Sequence, residues 1–187
     1  MDVSSSLLVA VMFVIILSMG IGHILVAAAA MVDRRVARRI DVLHVNWTIL
    51  LLLIYFNLFW HTLDLLSTEQ WGFASFLYIM TGAILIYFAT CILLPEIPAD
   101  DSLDLRAFYF EVSRQFFFLL ALLQAWIIGV DVLLGTGFKS AGIVNLVALL
   151  LVLLLASSRK TTIHVGGTVV AWVLFLGSMV ARSLGLI

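Results

Sequence analysis

Asn57, His61 and Asp64 interrupt an otherwise apolar stretch, Asn46 to Leu66 (NWTILLLLIYFNLFWHTLDLL). At about 100° per residue the three fall within about 60° of helix arc, so they form one polar stripe. An imidazole and a carboxylate are costly in lipid, and such groups face a bundle interior or a hydrated cavity. Two other stretches carry residues that could meet the stripe. Gln124 and Asp131 are seven residues apart in the run Phe116 to Leu134, about 20° apart on one face, and Arg182 closes the last apolar run. Brought to one depth, His61, Asp64, Asp131 and Arg182, with Asn57 and Gln124 deeper, could bind a cation, relay protons or lock three helices together. Arg182 would supply a counter-charge to the carboxylates, and His61 could exchange a proton near neutral pH.

These residues need a scaffold, and composition identifies its kind. Of 187 residues, 64% are hydrophobic and only 11% charged, with a mean hydropathy of +1.23. A soluble domain carries roughly a quarter charged residues, so the solvent for this chain is lipid. The pattern predicts an all-α, polytopic integral membrane protein with six transmembrane helices in one bundle. They run over about 7–31, 43–66, 73–94, 106–134, 143–156 and 165–184, in a single transmembrane domain. A span needs about 20 residues, which makes the fifth the shortest fit. The first apolar run is too long for a cleavable signal and lacks its basic region. Pro95 and Pro98 end the third helix, and Asp101 or Ser102 is the expected N-cap of the fourth. The turns Arg106 to Gln115 are amphipathic and belong in the headgroup layer.

Orientation follows from the basic residues. Arg34, Arg35, Arg38 and Arg39 lie between spans one and two, and Arg159 and Lys160 between five and six. With six spans both turns share one side, which is therefore cytoplasmic, and both termini are non-cytoplasmic. His61, Asp64, Asp131 and Arg182 then fall near the outer surface. On the cytoplasmic side Glu96, Asp101 and Asp104 are expected to form interfacial ion pairs with the basic turns, and Glu111 with Arg114 an interfacial pair along the helix, each worth about 0–1 kcal/mol. Gly177, Ala181 and Gly185, and Ser18 with Gly22, recur every four residues and predict close helix packing within the bundle or an oligomer. Trp47 and Trp71 read as boundary markers.

Several chemistries are excluded or disfavoured. There is no basic surface for nucleic acid, and the single cysteine, Cys91, rules out an internal disulfide. No HExxH, cysteine-based metal signature or nucleophile elbow occurs, so no metal and no catalytic residue is assigned. Haem needs two axial imidazoles at one depth. His23 and His44 differ by about five residues, roughly 8 Å of rise, so haem is disfavoured and no cofactor is expected. Asn46-Trp47-Thr48 matches a glycosylation sequon but falls on the cytoplasmic side. The expected activity is transport or conduction of a small solute or ion through the outer polar cluster, in a prokaryotic inner (plasma) membrane. The alternative is a non-catalytic subunit, scaffold or sensor that packs against a membrane-protein partner or a second copy of itself.

Overall fold

The computed structural model describes residues 5–32, 41–66, 71–94, 104–133 and 140–185, the side chains at 31–32, 64–66, 131–133 and 140–141 excepted. Six helices make up these residues: α1 (Ser5–Val32), α2 (Val42–Leu66), α3 (Phe73–Leu93), α4 (Leu105–Leu133), α5 (Ser140–Ser157) and α6 (Thr161–Ser183). All but α5 are long and apolar enough to cross a membrane. At 1.5 Å per residue α5 extends about 27 Å against a hydrocarbon core of about 30 Å. Every helix carries large apolar side chains on its outward face, such as Ile15, Trp60, Phe88, Phe118, Leu150 and Val173. Water does not tolerate such a surface, and lipid does.

The helix ends have local causes. Asp41 caps α2, its Oδ2 accepting the backbone N–H of His44 at 3.0 Å. Asp104, rather than Asp101 or Ser102, caps α4: its Oδ1 accepts N–H bonds from Arg106 at 2.9 Å and Ala107 at 3.2 Å. Leu94 turns extended immediately before Pro95, where a helical conformation would clash with the proline ring. Helix α6 begins four residues before its apolar run, because the polar residues Thr161 to His164 form its first turn on the carbonyl of Lys160. It stops at Gly185, whose φ of +68° is the left-handed conformation a helix-ending glycine supplies.

Helix α2 is the hub, packed against α1, α3, α4 and α6. Contacts at both ends show how the helices alternate. At one end, His44 of α2 bonds the Leu93 carbonyl closing α3, and Tyr109 opening α4 bonds His164 opening α6. At the other, Tyr78 of α3 meets Trp126 of α4, and Arg182 of α6 meets Asn57 and His61 of α2. Helices α2 and α6 are therefore parallel. Their hydrogen-bonded pairs keep a sequence offset of 121 to 126 residues.

Close packing uses different small residues from those the spacing suggested. Gly22 and Gly177 face open space, Ser18 is exposed, and Gly185 terminates a helix. The tight approaches among the described residues are at Gly20 against Tyr55, at Gly167 against Leu155, and at Gly82 and Gly129, which receive the aromatic side chains of Trp126 and Tyr78. These two rings also clasp α3 to α4 reciprocally: Tyr78 Oη donates to the Trp126 carbonyl at 3.1 Å, and Trp126 Nε1 to the Tyr78 carbonyl at 2.7 Å. A methyl group at Gly82 would lie 2.4 Å from the indole, and overpacking of this kind costs about 1–3 kcal/mol. Gly82→Ala is expected to lower stability by that amount in detergent unfolding, and Gly22→Ala to leave it unchanged.

Candidate functional site

Of the residues whose types suggested chemistry, three converge. Arg182, in the last turn of α6, donates from Nη1 to Asn57 Oδ1 at 3.1 Å and to His61 Nε2. Asn57 and His61 are one helical turn apart, so a single guanidinium nitrogen reaches both. Because arginine only donates, His61 Nε2 presents its lone pair here, which places the ring proton of a neutral imidazole on Nδ1. Arg182 is exposed, and Asn57 and His61 are half-buried. Its position at a helix C-terminus is also the favourable one for a cation.

The other candidates stand differently. Gln124 is half-buried midway along α4, and its Oε1 is enclosed without a hydrogen-bond partner. The backbones of Asp64 and Asp131 belong to α2 and α4, and their side chains lie outside the described residues, as do Arg34, Arg35, Arg38, Arg39, Glu96 and Asp101. Asp104 serves as the α4 cap, and Glu111 and Arg114 are exposed on the outward face of α4.

The opposite end holds a polar network that hydropathy did not reveal. His164 is fully buried. Its Nε2 lies 2.9 Å from the Ser158 carbonyl, which can only accept, so Nε2 carries the proton. Nδ1 is then the acceptor for Tyr109 Oη at 2.8 Å. One helical turn on, Thr168 accepts the indole N–H of Trp47 at 3.0 Å and passes its own proton to the His164 carbonyl at 2.7 Å. Trp47 faces the bundle interior: it is buried, edge-on to Phe116 and Phe117. A further turn along α6, Trp172 Nε1 donates to Asn46 Oδ1 at 3.0 Å. The signal was present as His164, Thr168 and Trp172, spaced four apart on α6. Deeper, Thr90 spends its proton on the Ile86 carbonyl, so Tyr55 is the donor in their 2.8 Å bond.

These arrangements separate two kinds of chemistry. The His164 end is saturated: both imidazole nitrogens and the hydroxyls of Tyr109 and Thr168 are committed to one another or to carbonyls, which makes it a lock between helices. His44 differs, with Nε2 on the Leu93 carbonyl at 2.8 Å and Nδ1 enclosed without a partner. Among the described residues no group of three or more His, Cys, Asp or Glu could hold a metal ion. The Arg182 end is exposed and carries a charge within its hydrogen-bonded cluster, so the cluster itself can meet something from outside the bundle. Removing the lock's hydroxyl strands a buried acceptor: Tyr109→Phe is expected to cost about 1 kcal/mol in unfolding experiments, with the overall helix content unchanged by circular dichroism. No family model, curated protein or solved structure matches the chain.

Proposed function

We propose that this chain is an integral membrane protein of six spans that moves a small solute or ion, received at the Arg182–Asn57–His61 cluster. The supporting observation is the convergence of α6 and α2 on one guanidinium at an exposed rim, on helices whose outward faces carry large apolar side chains. A charged group exposed at a bundle rim is accessible to ligands from water or from the headgroup layer, which the saturated network at the other end is not. Gln124, with its unpartnered oxygen midway along α4, is the next polar group for a solute passing inward. Asp64 and Asp131, whose backbones belong to α2 and α4, remain in the proposal as charge-bearing ligands. In this reading the basic turns are cytoplasmic, both termini lie on the opposite side, and the membrane is a prokaryotic inner membrane.

A second reading rests on a separate observation. Helix α6 buries only His164, Gly167 and Thr168, all in its first third, and Gly177 faces open space beyond them. A subunit or scaffold that docks a partner helix along α6 would need that bare, small-residue surface.

One flux measurement decides between them. The protein is reconstituted in vesicles holding valinomycin, then challenged with potassium chloride, acetate or phosphate while light scattering reports volume change. The transport reading expects faster relaxation than protein-free vesicles for at least one salt, with Arg182→Gln reducing the protein-dependent rate about tenfold, the scale of a lost charged hydrogen bond. Relaxation identical to protein-free vesicles for every salt contradicts it and leaves the scaffold reading.

A further inference from the structure

The hydrogen bonds of Arg182 leave one edge of its guanidinium unspent. Nη1 has two hydrogens, and Asn57 Oδ1 and His61 Nε2 take both. Among the described residues nothing bonds Nε or Nη2, and no carboxylate pairs with the side chain, which is exposed. Nε and Nη2 form the flank of the guanidinium opposite Nη1, with two parallel N–H bonds spaced to match two oxygens of one carboxylate or phosphate. The anchor on α2 also fixes the plane of the group. A ligand meeting this flank finds it already oriented, so less side-chain freedom is lost on binding than for a loose surface arginine.

From this geometry we propose that the Nε–Nη2 edge of Arg182 is an oxyanion site, taking a carboxylate or phosphate group in two-point contact. The proposal rests on the transport reading in one respect: it names the chemical class that the cluster would receive. Two sources supply that chemistry, a free solute anion and the phosphate of a lipid headgroup. Trp60, next to His61 and 70% exposed, is the residue type that settles at headgroup level, so both sources can reach Arg182.

Binding is measured by calorimetry on the full chain in a maltoside detergent, which contains no phosphate, at constant chloride. The probes are inorganic phosphate, acetate and a short-chain phosphatidylglycerol. Saturable binding of at least one probe is expected, weakened about tenfold or more in Arg182→Gln. Arg182→Lys, which keeps the charge and loses the fork, should also bind several-fold more weakly. The pair Asn57→Ala with His61→Ala leaves Arg182 charged but unheld, and is expected to weaken binding in the same direction should Arg182→Gln fail to fold. Binding of phosphate or acetate assigns the site to a free solute. Binding of the lipid alone assigns it to a headgroup, which supports the oxyanion site and removes the solute from it. No binding by any probe, or equal binding by folded Arg182→Gln, overturns the proposal. Flux in vesicles that is unchanged by Arg182→Gln sinks the transport reading separately, whatever the calorimetry shows.

Discussion

A membrane interior offers no water to a stray polar group, so each one must find a partner within the protein. In this chain two parallel helices meet that constraint along the greatest length. Among the described residues four side-chain hydrogen bonds join α2 to α6: Trp47 to Thr168, Trp172 to Asn46, and Arg182 to both Asn57 and His61. They span residues 46 to 61 of α2, about 22 Å of helix. Apolar burial alone could not place α6, because only its first third is enclosed. Directional bonds set both its register and its rotation. In lipid, apolar side chains gain little by choosing protein over acyl chains, so specificity passes to polar groups and to close contacts at small residues.

The rest of the bundle follows the same division. On the α3–α4 side, two glycines admit two aromatic rings, and each ring closes the gap by bonding a backbone carbonyl of the facing helix. On the α1–α2 side, Gly20 admits the Tyr55 ring, whose hydroxyl goes on to Thr90 of α3. Tyr55 therefore ties three helices at mid-depth. With the tyrosine–histidine lock at one end and the arginine bridge at the other, the bundle is pinned at three levels. Of these three hydrogen-bonded ties, the arginine bridge is the one that is exposed and carries a charge.

The sequence showed the helices plainly and their partners poorly. Apolar runs located all six, the fifth of them short of span length, and the polar start of α6 was missed because hydropathy ignores a first turn built from Thr161, Thr162 and His164. The stripe Asn57–His61 and the distant Arg182 could be placed at one depth by counting residues inward from the basic turns. That Arg182 would spend one nitrogen on both could not, since a rotamer is not written in spacing. Asn46-Trp47-Thr48 gave no sign of its packing role: Asn46 and Trp47 receive and donate bonds that hold α6. The small-residue repeats do not mark the contacts within the bundle, since Gly22 and Gly177 face open space. A glycine at fixed spacing is equally compatible with lipid, and the side chain facing it tells which glycines are sockets.

The parallel seam between α2 and α6 is tested most directly by cysteine cross-linking in native membranes, with Cys91 replaced by alanine. Asn46→Cys with Trp172→Cys, and Asn57→Cys with Arg182→Cys, should each be joined by a short bifunctional thiol reagent. The crossed pairs, Asn46→Cys with Arg182→Cys and Asn57→Cys with Trp172→Cys, should remain unlinked. Efficient linking of the crossed pairs, or of neither set, would contradict the account and remove α6 from its place beside α2.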